Sequence, residues 1–233
     1  GDAAGALITL AVGLICGIIN GIIIAKVKIT PMVTTLATMY LYLGLARGIT
    51  QGDSVYAFPL AAYLGNTVIA GLPIQIWIYL VLAVVFVYIL SKTTLGRKIY
   101  SIGLNPNAAK YAGVKTDIIL IGIYALTGVI CALAALIWLG RFTSVKYDAG
   151  TNFNLKVITV VVLGGTSING GIGDMKGTIL GTLIIATLNS GLTVLNIPID
   201  VQTIVQGAVL MVALIAYAVL NDRAKKRKIV AVQ

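Results

Sequence analysis

Residues Thr93 to Asp117, TTLGRKIYSIGLNPNAAKYAGVKTD, form a polar, basic island between two apolar stretches. Lys92, Arg97, Lys98, Lys110 and Lys115 fall in or beside it, whereas Ile74 to Leu90 and Ile118 to Leu139 carry no charge. This contrast is what a membrane protein shows where a cytoplasmic loop joins two spans. Inside the island, Asn105 is a good helix cap, and Pro106 suits a first helical position, where its missing N–H costs nothing. Ala108, Ala109, Lys110, Tyr111 and Ala112 are followed by Gly113, a plausible stop. The pattern predicts a short helix outside the membrane, with alanines that let another protein approach closely.

The rest of the chain agrees with this frame. Its 233 residues are 59% hydrophobic and only 10% charged, with no His and no Glu, the profile of an integral membrane protein. The net charge of +10 raises the question of nucleic acid. The cations, however, lie between apolar spans and not on one amphipathic surface, so a positive-inside bias explains them and no nucleic-acid partner is expected. Cys16 and Cys131 both fall within apolar spans and read as small buried residues, with no disulfide or metal site.

Outward from the island, the apolar segments predict an all-α bundle of about seven transmembrane helices. Gly5 to Ala25 is the first, lacking the basic leader of a signal peptide. Its Gly13, Gly17 and Gly21 make two overlapping small-xxx-small steps, a helix-packing face. Thr30 and Pro31 open a second span to about Leu45, with Thr30 as cap. Residues 51 to 72 form a long connection with a short helix near Leu60 to Leu64. Pro73 to Ser91 is the third span. The fourth, capped by Thr116 or Asp117, ends near Leu139 and has a small-residue face at Gly128, Ala132 and Ala135. Leu155 to Leu163 is β-branched and runs into Gly164, Gly165, Gly170, Gly171 and Gly173. No G-K-[ST] follows, so a phosphate loop is rejected. The expectation is a fifth transmembrane helix entering a re-entrant turn, tolerable at membrane depth only if buried in protein. Gly177 to Leu195, with Gly177 and Gly181 as a second packing pair, is the sixth span, and Val201 to Leu220 the seventh. Residues 221–233 form a basic tail able to touch anionic lipid.

With the island inside, thirteen of the 17 Lys and Arg residues are cytoplasmic and four (Arg47, Arg141, Lys146, Lys156) lie on the other side. Gly1 is then outside.

Two motifs carry a family resemblance. G-R-x-I-Y-x-I-G-x-N-x-x-A-A-x-x-A-G-V, at Gly96 to Val114, resembles the cytoplasmic coupling loop of ABC importer permeases of the ribose and simple-sugar branch. V-L-G-G-T-S-I-N-G-G-x-G, at Val162 to Gly173, resembles the second signature of that family. Gly177-Thr178, Asn189-Ser190-Gly191-Leu192 and Gln202 to Gly207 fit its C-terminal segment, and the likeness covers nearly the whole chain. It implies that the loop at 93–117 docks into a cleft of an ATPase subunit through Gly96, Arg97, Gly103, Asn105, Ala108, Ala109 and Gly113. It also implies an extracytoplasmic solute-binding protein, a second permease subunit and a location in the bacterial inner membrane. The family's permeases are longer at the N-terminus, so residues 1–233 are expected to be one permease domain lacking its first spans. Asn154 and Lys156 depart from the usual pattern, where acidic residues often stand. The stretch N-L-K-V-I-T-V-V-V-L-G-G at Asn154 to Gly165 leans toward rhamnose or autoinducer-2-type permeases.

Chemistry by the chain itself is not expected. Without His there is no Ser/His/Asp set, and no paired carboxylates share a helix face. No mid-span Asp, Glu, Lys or His offers a coupling site for protons or sodium, which disfavours a secondary carrier or channel. No nucleotide motif is present, so no cofactor is expected on this chain and ATP with Mg would bind the partner ATPase. The polar residues within spans are neutral hydroxyls and amides, among them Thr34, Tyr40 and Tyr42. Asn20, Thr35, Thr38, Asn189, Gln202 and Gln206 are the candidates for a path that passes an uncharged polar solute. Each could equally serve interhelical hydrogen bonding. The expected function is the transmembrane subunit of an ATP-driven importer of a simple sugar or sugar-like solute. A branched-chain amino acid or nucleoside permease of the same superfamily is the alternative.

Overall fold

The computed structural model describes residues 2–151, 153–168 and 170–230, with side chains described as far as residue 215. The chain is a helical membrane protein that divides into two compact units, Gly1–Val84 with Pro106–Gly150, and Val85–Asn105 with Thr151–Gln233. Ten α-helices are described: α1 Asp2–Ile22, α2 Pro31–Thr50, α3 Pro59–Asn66, α4 Ile74–Lys92, α5 Thr94–Leu104, α6 Pro106–Tyr111, α7 Thr116–Phe142, α8 Phe153–Leu163, α9 Met175–Val194 and α10 Ile199–Val230.

The first unit is built on the pair α1 and α7. In a membrane, lipid is as apolar as leucine, so helices associate by close packing of small residues and not by hydrophobic burial. Gly13, Gly17 and Gly21 do this here. A Cβ at Gly13 would stand 2.5 Å from the Gly128 carbonyl oxygen and 2.6 Å from the Ala132 Cβ. At Gly17 it would run into the Tyr124 carbonyl, and at Gly21 it would lie 2.8 Å from the Ile121 Cα. The two backbones therefore touch along three turns. The far end of α7 is held the same way by α3, where Gly65 lies against Gly140 and Asn66 Nδ2 donates to the Gly140 carbonyl at 3.0 Å. Next to this contact, β1 (Val55–Tyr56) pairs antiparallel with β4 (Ser144–Val145), and Arg47 lies 5.8 Å from the Tyr147 ring centroid. A hairpin, β2 (Val68–Ile69) with β3 (Leu72–Pro73), turns through Ala70 and Gly71, both at positive φ.

The second unit packs α8 on α9 through Gly164 against Gly177 and Gly181 against the Val160 carbonyl. α10 packs on α8, and Gln206 Nε2 donates to Asn189 Oδ1 of α9 at 2.7 Å.

Large apolar side chains such as Leu7, Met32, Ile49, Val84 and Ile204 point outward, while much of the buried set is alanine or threonine. That inversion suits a chain solvated by lipid. Among the described residues, four stretches are both long and apolar enough to cross a membrane: Asp2–Val27, Ile74–Lys92, Thr116–Phe142 and Met175–Val194. α2 has 20 residues but four threonines and an arginine dilute it, and the apolar part of α10 is described over Ile199–Ile215.

The structure departs from the sequence expectations at several points. The predicted fifth span is a helix of 11 residues, which rises only about 16 Å against a hydrocarbon core of roughly 30 Å. The glycine-rich run after Leu163 ends it early, so irregular backbone continues from there. The island holds two helices, not one, because α5 precedes α6. α2 runs to Thr50, five residues past the expected end, and α7 to Phe142. α1 closes in a π-turn, Ile23–Val27, with Lys28 left-handed at φ 62°. Thr30 does occupy the N-cap position of α2, but its side chain makes no cap bond; Pro31 at the first turn sets the start. The N-cap of α7 is Lys115, so Thr116 and Asp117 fall inside the first turn, where Thr116 Oγ1 donates to Asp117 Oδ1 at 3.1 Å. The backbone of α10 continues as helix into the basic tail to Val230, and residues 231–233 lie outside the described residues.

Lys110 and Asp53 are both exposed, so sidedness can be read chemically. With Cys16 and Cys131 replaced by alanine, single cysteines at Lys110 and Lys226 are expected to label from the cytoplasm, and one at Asp53 from the opposite side. Labelling of positions 110 and 53 from the same side would remove the orientation drawn from the charge bias.

Candidate functional site

Two places gather the chemically expressive residues: the basic island and the seam between α1 and α2.

In the island, α5 begins at Thr93, whose Oγ1 accepts from the Gly96 N–H at 3.3 Å. Gly96 is buried at the corner where α4 turns into α5, with no room for a Cβ beside the carbonyls of Ile89 and Leu90. Asn105 is extended (φ −158°, ψ 103°) and its N–H closes α5 on the Ser101 carbonyl, which lets Pro106 start a new helix at once. α6 then runs six residues, and its backbone leaves through Gly113 at φ 80°. The Val114 N–H returns to the Ala109 carbonyl at 3.1 Å.

The seven residues assigned to docking do not share one environment. Arg97, Asn105, Ala108 and Gly113 are exposed; Gly96 and Ala109 are buried, and Gly103 is partly buried. Ala109, at 4% exposure, is buried within the chain. The surface open on α6 comes from Pro106, Asn107, Ala108, Lys110 and Tyr111, the last 93% exposed. Gly103 presses on Gly171 instead, its would-be Cβ lying 2.8 Å from the Gly171 Cα. A cleft of about 350 Å³ opens beside α6, lined by Lys110, Gly113, Val114, Lys115, Thr116, Asp117 and Ile118.

The seam lies in the first unit. Only Lys28 to Thr30 separate the π-turn from α2, so α2 folds back along α1. Tyr42 donates through its hydroxyl to the Cys16 carbonyl at 3.3 Å. One turn further along α1 is Asn20, and one and two turns back along α2 are Thr38 and Thr34, all on the facing stripes. Thr38 is back-bonded to the Thr34 carbonyl at 3.0 Å, and Thr35 to the Pro31 carbonyl at 2.9 Å. Thr34 is 4% exposed, and among the described residues its Oγ1 finds no partner; nor does Asn20 Oδ1. Buried polar atoms normally pair, and an unpaired one costs about 1–3 kcal/mol. Two such atoms, one on each helix, fall in this seam.

The remaining path candidates, in the second unit, are already engaged. Asn189 and Gln206 bond to each other, and Gln202 Nε2 donates to the Ile197 carbonyl at 2.9 Å, closing the start of its own helix. Thr34 was only one of several hydroxyls in the sequence. What separates it is the absence of the i−4 back-bond that Thr35, Thr38, Thr182 and Thr203 all make, and no sequence pattern carries that.

Residues 3–214 match the family described as branched-chain amino acid transport system, permease component. Among curated relatives, the autoinducer 2 import system permease protein LsrD of Escherichia coli is 36% identical over 224 residues, which is 93% of this chain and 68% of the relative. The protein of the same name from Shigella flexneri matches with the same identity and coverage. No solved structure matches the chain. The small-residue helix pairs, the lipid-facing apolar surface and the match over residues 3–214 agree, and the chain belongs to this family of multi-pass permease components of ABC importers in the inner membrane.

Proposed function

We propose that this chain forms the translocation path for a sugar-like, uncharged polar solute and is driven by a separate ATPase that docks on the island. The resemblance to permeases named for autoinducer 2 import, over nearly the full chain, carries this reading. The character of the spans supports it. Seam groups Asn20, Thr34, Thr38 and Tyr42 are neutral hydroxyls and an amide, which suit solute hydroxyls. A zwitterionic amino acid, the cargo in the family's description, would call for charged partners, and the seam offers none. A solute-binding protein outside and a second permease subunit complete the arrangement. ATP and Mg belong to the ATPase, and the basic tail faces anionic lipid.

The test is uptake into liposomes by the chain reconstituted with its ATPase and binding protein. Autoinducer 2, ribose, rhamnose and leucine are the probes. ATP-dependent uptake of a sugar-like probe is expected. Uptake of leucine alone would move the protein to the amino acid branch, and flux without ATP would make it a carrier or channel.

The seam has its own outcome. Thr34→Val and Asn20→Leu are each expected to slow uptake several-fold, the factor carried by a hydrogen bond of about 1 kcal/mol. Their melting temperatures should hold or rise, since each removes an unpaired buried polar atom. Normal uptake by both variants would take the solute away from this seam.

A further inference from the structure

Between α8 and α9 the chain runs through a glycine-rich turn. Gly165, Gly170 and Gly171 all have positive φ there (84°, 86° and 75°), a conformation other residues rarely adopt. The turn is tied to itself by the Ser167 N–H donating to the Ile172 carbonyl at 2.8 Å. It is also tied to α5. Gly103 and Gly171 touch backbone to backbone, and a Cβ at Gly171 would lie 2.6 Å from the Leu104 nitrogen. The Tyr100 hydroxyl donates to the Gly173 carbonyl at 2.9 Å. All these residues belong to the second unit.

α8, with 11 residues, is too short to cross the membrane alone, and irregular backbone follows it. Such backbone needs its polar groups satisfied by protein. Tyr100 satisfies one of them, from a helix that continues through Asn105 directly into α6. We infer that Tyr100 is a positioning residue for transport. Its hydroxyl couples α5 to the glycine turn, so displacement of the island is carried into α8 and α9 and is not lost at the contact. The residue sits on neither the exposed face of α6 nor the α1–α2 seam. A hydrogen bond between two elements transmits motion only while it holds them in one arrangement, and the neighbouring contact, in which only the Leu104 side chain lies against Gly171, offers little to resist sliding by itself.

This inference rests on the ATPase-driven reading, and two measurements on Tyr100→Phe separate the two. The first uses the complete reconstituted complex. Solute-stimulated ATP hydrolysis is expected to stay within about twofold of wild type, while solute taken up per ATP falls about fivefold, the factor one such bond carries. An unchanged ratio, or a parallel fall of both activities, would overturn the inference. The second is hydrogen exchange on the purified chain in detergent. Amides of residues 164–174 should exchange about fivefold faster in the variant, with α1 and α7 unchanged. Unaltered exchange in the turn would also overturn it. Should wild type show no ATP-driven uptake, the proposed function fails, and the exchange experiment still decides whether Tyr100 holds the turn.

Discussion

Gly17→Leu is expected to yield no stably folded protein. The Gly17 α-carbon faces the α7 backbone at Tyr124 and Ala125, where even a methyl group would collide with the Tyr124 carbonyl and lie 3.0 Å from the Ala125 Cα. Overpacking in a well-packed interior costs typically about 1–3 kcal/mol. Here the neighbour is main chain, which cannot rotate away, so α1 and α7 must separate along their contact. That contact is the principal one in the first unit, ahead of the α3 contact on α7, so its loss removes most of what holds α1. Gly44→Leu on α2 is the control: nothing lies within 4 Å of a Cβ there. Monodisperse yield and thermal melting in detergent should collapse for the first variant and stay near wild type for the second. Equal behaviour of the two would mean that the glycine stripe does not carry the fold.

Ala108→Glu is expected to abolish uptake without harming the fold. Ala108 is exposed on α6, flanked by Lys110 and the almost fully exposed Tyr111. A glutamate there adds bulk and offsets the positive charge of Lys110 on a surface proposed to enter a partner. Work from ATP reaches the membrane helices only as a difference in interaction between two states of a rigid contact. Blocking the contact should therefore cost more than about tenfold in uptake, about 1.4 kcal/mol or more of lost coupling. Solute affinity of the binding protein and melting of this chain should not change. Normal uptake and normal stimulated ATPase would place the coupling surface elsewhere. Ala109→Glu, one residue on, is expected to fail differently: it buries a charge in the chain's own unit, a loss of stability and not of coupling.

That pair of neighbours shows where sequence reading stopped. A two-turn helix of alanines has no hydrophobic contrast, so nothing in Ala108-Ala109 says which side faces in. The helical pattern in α5 was present, since Gly96, Ile99, Tyr100, Ile102 and Gly103 recur at helical spacing on the less exposed side. The charges at Arg97 and Lys98 masked it, and the stretch read as loop. The Gly13–Gly17–Gly21 stripe was readable because membrane packing rewards small residues at fixed spacing, and spacing is what a sequence displays. Its counterpart at Gly128 and Ala132 was readable for the same reason. The early end of α8 was not. A β-branched run followed by glycines fixes neither where the helix stops nor how much of a crossing the turn supplies. The two-residue strands pair through backbone alone, Val55 with Val145 and Tyr56 with Ser144, and leave no periodic trace.

The order in which the chain is made gives the α1–α7 contact a further consequence. Five helices, α2 to α6, are synthesised between the two partners. Until α7 emerges, α1 must wait in the bilayer with its glycine groove filled by lipid, which fits a backbone cleft poorly. The nascent protein thus passes through a long window in which α1 is inserted without α7, and the Gly13–Gly21 face is open to any other small-residue helix nearby. A ribosome stalled before Thr116 would leave such a helix permanently unmatched, a ready mark for membrane quality control. The groove that makes the finished protein tight makes the unfinished one conspicuous.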